Sequence, residues 1–427
     1  MKLFAQKSTL TGSVPIPASK SHTIRGVAIA SLADGTSTLR NPLISGDTMS
    51  AVQCYRSFGA EIDTSNSDEW VVTGTAGQIT PANQMIDVNN SGTTLRIAAG
   101  SAALSESSRP IQLTGDYQIQ ARPIAPLLQS LTDLGAHAVS VKNNGMAPIS
   151  VAGRLMGGET DIECMTSQYL TSLLIACPLA AGDSRINVTL LNEPDYAKMT
   201  LDWLDRQGIL YENDNLRRID IQGRQRYNPF DIQVPADFSS ATFFLCAGAI
   251  LRADITLTGL DFSDSQPDKS VSDYLERMGA EIRVDNNTVR IRRSPLQGID
   301  IDMNRTPDAL PAMAVVGAFA EGTTRLLNVP QARKKETDRI AVMAKELAKM
   351  GVQTEELPDG LVIHHCPRLK AAALNGHDDH RIVMALSLAL MAIEEGGVID
   401  TAEAINVTFP EYVNLMQRLG ARMKLAE

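Results

Sequence analysis

The residues of this chain best suited to chemistry stand in four short stretches, at 15–25, 115–123, 333–339 and 376–381, where cations and carboxylates lie among proline, glycine, serine and histidine. Lys20 sits between Ser19 and Ser21, Arg122 precedes Pro123, and Arg381 follows Asp379 and His380. Serine, threonine, asparagine and aspartate at such places are ordinary helix N-caps. Capping does not explain Lys20, Gln168 or Arg381. A helix N-terminus carries free amide donors and partial positive charge, so cations placed beside several of them would make a seat for anions. Two plainer readings compete. Lys334, Lys335, Glu336 and Arg339 could form the first turn of an exposed helix with i,i+4 ion pairs. His377 and His380 beside Asp378 and Asp379 could suggest a metal, but two histidines in a loop are a weak ligand set, and no metal is expected.

Six repeats position these residues. In each, an amphipathic helix runs into a glycine and then a short strand, and the glycines are Gly59, Gly135, Gly208, Gly279, Gly351 and Gly420, spaced 69 to 76 residues apart. Glycine there fits the left-handed position that ends a helix before the chain turns. A second helix in each unit is small and apolar throughout, as at 97–104, 169–181, 241–250, 312–320 and 382–393, which predicts burial on every side. At or just before these helices stand the polar clusters Ser19-Lys20-Ser21, Asn90–Thr93, Thr166-Ser167-Gln168, Ser239-Ser240, Pro307-Asp308 and Asp379-His380-Arg381. Short strands are expected at 70–73, 138–141, 255–258 and 288–292. The unit is mixed α/β, and six units divide into two sets of three, with a boundary near Tyr227–Pro235. Two lobes with a cleft between them are expected.

The chain has 427 residues, 44% hydrophobic and 21% charged, enough to bury a core in two or three domains. Its net charge of −10 argues against nucleic-acid binding and requires that any anionic ligand be held by local basic clusters. The five cysteines, Cys54, Cys164, Cys177, Cys246 and Cys366, lack any C-x-x-C spacing and read as reduced thiols of a cytoplasmic protein. The N-terminus lacks an apolar signal core and no window reaches the roughly 18 apolar residues of a membrane span.

The residues also carry a resemblance. Pro17-Ala-Ser-Lys-Ser21 with Arg25, Asn90-Ser-Gly-Thr-Thr-Leu-Arg96, Arg122-Pro123, Thr166-Ser-Gln168, Pro235-Ala-Asp-Phe-Ser-Ser240, Lys335-Glu-Thr-Asp-Arg339 and Asp379-His-Arg381 resemble, in order, the motifs of the 5-enolpyruvylshikimate-3-phosphate synthase family. The resemblance implies a two-domain inverse α/β barrel, each domain three βαβαββ repeats, with the active site in the interdomain cleft. The first domain would span 16–234, and the second 1–15 plus 235–427. It implies transfer of an enolpyruvyl group from phosphoenolpyruvate to shikimate 3-phosphate by a cytoplasmic monomer, with no cofactor.

The resemblance further implies that Lys20, Gly92, Arg122, Gln168, Arg339 and Arg381 surround phosphoenolpyruvate, where guanidinium forks suit carboxylate and phosphate. Ser21, Arg25, Thr166, Ser167, Gln168, Asp308, Gln331 and Lys335 would hold shikimate 3-phosphate. Lys20, Asp308 and Glu336 would move protons. Four places depart from the family pattern. Without a gap Glu193 stands where the family has serine, whereas a one-residue insertion would put Asn192 there; Val407 replaces a lysine, Gln331 an asparagine, and Gln118 and Gln120 basic residues. A related family acting on UDP-N-acetylglucosamine carries a cysteine in the loop equivalent to 116–121, which this chain lacks. A paralogue acting on another alcohol and a non-catalytic anion-binding protein on the same fold are the alternatives.

Overall fold

A helix with no polar face must be enclosed, and the odd-numbered helices of this protein are of that kind. In a computed structural model describing residues 1–81, 83, 85–107 and 109–427, the helices in chain order are α1 (Lys20–Leu32), α2 (Gly46–Ser57), α3 (Gly92–Ala102), α4 (Ala125–Asp133), α5 (Ser167–Ala176), α6 (Pro194–Arg206), α7 (Phe238–Ile250), α8 (Ser270–Arg277), α9 (Leu310–Phe319), α10 (Arg339–Lys349), α11 (His380–Ala392) and α12 (Tyr412–Arg418). Every residue of α7 and of α3 is buried. The even-numbered helices are one-sided, as in α10, where Ile340, Met343 and Leu347 turn inward at helical spacing. All six glycines that end the even helices have positive φ, from 68° at Gly208 to 107° at Gly279, as the sequence requires.

The chain forms two compact units, Ala18–Val234 and Met1–Pro17 with Pro235–Glu427. One hydrophobic cluster fills each: Trp70, Trp203 and Tyr227 lie in the first, and Phe243, Phe244 and Tyr412 in the second. Each unit contains three βαβαββ repeats, and each repeat makes one four-stranded sheet. In the second repeat, Met85–Asp87 leads through α3 to a parallel neighbour, Ile111–Thr114. A parallel pair needs a crossover of this length, which the apolar helix supplies. Then α4 leads into the hairpin of His137–Ser140 and Ile149–Ala152, whose second strand pairs antiparallel with Ile111–Thr114. The other five sheets have the same order. Along the strands burial alternates, as in Lys2–Gln6, so one side packs on the helices and the other meets water. Because helices fill the middle of each unit, the strands lie in separate open sheets, and among the described residues no sheet closes into a hydrogen-bonded barrel.

Distant strands complete several sheets. Asp231–Gln233 pairs parallel with Thr36–Arg40, supplying the first strand of the first repeat. In the other unit Thr9–Pro15 pairs parallel with Arg252–Thr258, and Lys2–Gln6 inserts between Gly397–Asp400 and Arg422–Ala426.

The buried helices begin two to five residues earlier than their apolar runs suggest, and the polar clusters stand in their first turns or, at Pro307-Asp308, in a 3-10 turn just ahead. Close helix packing depends on small residues. A Cβ on Gly100 of α3 would stand 2.6 Å from Ser172 Oγ and 2.7 Å from Ser172 O of α5. Gly100→Ala should therefore lower stability by roughly 1–3 kcal/mol through overpacking, read as a lower urea midpoint at unchanged slope.

Candidate active site

In the unit of residues 18–234 the polar first turns of α1, α3 and α5 carry one set of candidate residues. Ser19, Ser91 and Thr166 cap these helices through their side chains. Lys20, first residue of α1, places Nζ 3.0 Å from Asp47 Oδ2 in the first turn of α2. Gln168 ties two helix ends together: its Nε2 donates to Thr93 Oγ1 at 3.0 Å and its Oε1 accepts from Arg96 Nη1 at 2.9 Å. Arg96 also donates to Gly92 O and lies 5.7 Å from the centre of the Tyr169 ring. Burial lowers its pKa, and neighbouring Arg122 adds to that shift against the opposing influence of Tyr169 and Glu193. The two guanidinium groups meet at Gly92, where a Cβ would stand 2.7 Å from Arg96 Nη1 and 2.9 Å from Arg122 Nη1. Like charges at a helix N-terminus favour a shared anion.

Two members of the expected alcohol-side set have internal partners. Thr166 and Ser167 donate to the Glu193 carboxylate. Glu193 thus faces Thr166 and Ser167, and the Asn192 side chain donates to Met165 O at 3.2 Å. Arg25 faces inward: Nε donates to Thr200 Oγ1 at 2.9 Å, Nη2 to Thr171 Oγ1 at 3.2 Å and to the Tyr196 carbonyl at 3.1 Å, and Nη1 to Ser21 O at 3.1 Å. Burial pushes its pKa down to about 10. It clamps α1, α5 and α6 together.

The second unit holds a charge cluster centred on Arg339, which is 1% exposed. Its Nε bonds Asp379 Oδ2 at 2.7 Å, Nη1 bonds Asp308 Oδ1 at 2.8 Å, and Nη2 bonds Glu336 Oε2 at 2.5 Å. Burial opposes the charge, but Asp379, Glu336 and Asp308 outweigh it and raise the Arg339 pKa. Asp308 also lies 3.7 Å from Lys335 Nζ and 3.1 Å from Arg381 Nη2. Asp379 caps α11 by accepting from Arg381 N. The exposed-helix reading of residues 334–339 is overturned: Lys335 and Glu336 precede α10, whose cap is Asp338, and Arg339 is buried because three carboxylates draw it inward. Gln331 donates to Asn304 O at 3.0 Å. His377 Nε2 lies 3.0 Å from buried Glu346, which also bonds Lys349 and Asn375 N, so this histidine fixes the turn before α11.

These two sets share the apolar-helix repeat and the ordered motifs of a known family. A family model described as EPSP synthase (3-phosphoshikimate 1-carboxyvinyltransferase) matches residues 4–416. The chain belongs to the EPSP synthase family. It is 51% identical over 427 residues to the 3-phosphoshikimate 1-carboxyvinyltransferase of Acetivibrio thermocellus, and 40% identical over 432 residues to that of Methanocaldococcus jannaschii, with all of both chains covered in each case. Its fold matches the EPSP synthase of Acinetobacter baumannii with a TM-score of 0.82 at 25% identity over the whole of both chains. The enolpyruvyl transferase NikO of Streptomyces tendae, at 19% identity and a TM-score of 0.76 over 99% of this chain and 98% of that one, shares the fold.

Against this EPSP synthase background, sequence reasoning assigned no role to Asp47, Arg96 or Asp379. Arg96 had a signal, as the one charged residue in an otherwise uncharged buried helix. Asp47 looked like any first-turn acid, and Asp379 like any cap. Asp379→Ala would strip a buried carboxylate from Arg339, at a cost of about 3 kcal/mol or more. A raised guanidinium pKa means the contribution is fully present below the ordinary arginine value. The loss in urea-denaturation stability should therefore be the same at about pH 6 and pH 9.

Proposed function

We propose that this chain transfers the enolpyruvyl group of phosphoenolpyruvate to the 5-hydroxyl of shikimate 3-phosphate and releases phosphate, a step of the shikimate pathway to the aromatic amino acids. The observation that carries the reading is the pair of guanidinium groups, Arg96 and Arg122, meeting at Gly92 on the N-terminus of α3. Such a seat suits the phosphate and carboxylate of phosphoenolpyruvate. Lys20, Gln168, Arg339 and Arg381 complete the set assigned to that substrate. Ser21, Arg25, Thr166, Ser167, Gln331 and Lys335 are assigned to the phosphorylated alcohol.

The reaction is an addition followed by an elimination. The alcohol oxygen bonds to the enol carbon as it loses its proton, and the methylene carbon gains one, giving a tetrahedral intermediate. A proton then leaves the new methyl group as the C–O bond to phosphate breaks. Asp308 is assigned the alcohol proton, and Glu336 with Lys20 the proton at the methylene. Arg339 links binding to chemistry, because four of its five N–H donors go to Asp379, Asp308 and Glu336. A phosphate gripped by Arg339 competes with these carboxylates for its charge, and two of them are the proposed proton carriers. The five cysteines are free thiols, four of them buried, which suits a reducing cytoplasm.

Mixing the protein with phosphoenolpyruvate and shikimate 3-phosphate should give equal amounts of phosphate and enolpyruvyl ether by phosphorus and proton NMR. Silence from folded protein would defeat the reading. Lys20→Met and Asp308→Ala should each reduce turnover by about a hundredfold or more at unchanged circular dichroism, and near-normal rates in either would show that the proton carriers are misassigned. Gly92→Ala should raise the KM for phosphoenolpyruvate roughly tenfold, since the methyl crowds both arginines.

A further inference from the structure

Three donors of the alcohol-side set converge on one oxygen of this chain's own. Thr166 Oγ1 donates to Glu193 Oε2 at 3.1 Å, Ser167 N at 3.3 Å and Ser167 Oγ at 3.0 Å. Two hydroxyls and the first free amide of α5 thus form a small anion seat, and a carboxylate sits in it. Glu193 is only 2% exposed. Its backbone is held in the left-handed region, φ 59° and ψ 49°, at the N-cap of α6 with Pro194 following. Side-chain-bearing residues adopt that conformation at a cost that surrounding contacts must hold in place. Those contacts are present: Asn192 N donates to Cys164 O, Asn192 Nδ2 to Met165 O, and Tyr196 N to Glu193 O. The loop is therefore held so that residue 193 faces the start of α5.

We infer that Glu193 is an internal occupant of the phosphate seat, which the phosphate of the alcohol substrate must displace in order to bind. The inference rests on the assignment of Thr166 and Ser167 to shikimate 3-phosphate. One oxygen already takes all three donors, and a phosphate set beside a retained carboxylate would meet like charge at short range. Occupation by Glu193 keeps the hydroxyls oriented and the helix end satisfied before substrate arrives. It also sets a threshold. A doubly charged phosphate can exchange for the carboxylate, whereas an alcohol without that group offers nothing to replace it. Glu193 is accordingly a specificity-determining residue that acts through competition.

Calorimetric titration of the full chain with shikimate 3-phosphate, and separately with inorganic phosphate, tests this. E193S removes the competitor and should bind shikimate 3-phosphate at least tenfold tighter, with inorganic phosphate tightening in parallel. E193Q preserves size and can still accept the same bonds without the charge, so it should fall between the two. If E193S does not fold, E193Q alone decides, and it must tighten binding threefold or more. Unchanged or weaker binding of both ligands in the folded variants overturns the inference. If the wild type proves unable to turn over shikimate 3-phosphate, the reading of the reaction fails separately. Inorganic phosphate then still judges the seat: tightening in E193S sustains the displacement, and no tightening ends it.

Discussion

Everything in this structure depends on enclosing helices that have no polar side. An apolar helix cannot rest on a sheet with its other face in water, so each is surrounded by companion helices and by the apolar faces of four-stranded sheets. Polar chemistry on such a helix gathers toward its N-terminal end. Lys20, Gly92 and Ser167 open α1, α3 and α5, and Asp379 with Arg381 stands at the start of α11. The repeat that builds the core thus also collects helix N-termini, with their amide donors and partial charge, in each unit.

The two units use charge differently. In the unit of residues 18–234, Arg96 and Arg122 crowd one another at Gly92, an arrangement that gains from an added anion. In the other, Arg339 is surrounded by Asp308, Glu336 and Asp379, and buried charges tolerate that burial because they are matched. The first set is prepared to attract and the second to exchange. Glu193 brings exchange into the first unit as well, at the end of α5.

A buried arginine can brace helices as well as face a substrate. Arg25 reaches Thr171, Thr200 and the Tyr196 carbonyl, and so couples three helices. Losing it would remove three buried hydrogen bonds to α5 and α6. Arg96 has a double character: it bonds Gln168 and Gly92 O, and it lends its charge to the helix end. The same residue type in the same kind of helix therefore serves as brace or as receptor according to what the neighbouring helix offers.

Local physics made the six repeats legible in the sequence: terminating glycines, apolar runs and polar first turns are properties of a few consecutive residues. The motifs likewise named most of the residues found at the helix ends. Tertiary structure decided the partners. Arg339 and Asp379 are 40 residues apart, and Arg25 and Thr200 are 175 apart. That Lys20 meets Asp47, and that Glu193 reaches Thr166 and Ser167, could not be read from spacing. Nor could spacing show that Lys2–Gln6 completes a sheet with residues 397–400 and 422–426. The reason is that dihedral preference and hydrophobic period are written along the chain, whereas the energy of a charge pair depends on a separation that exists only after folding.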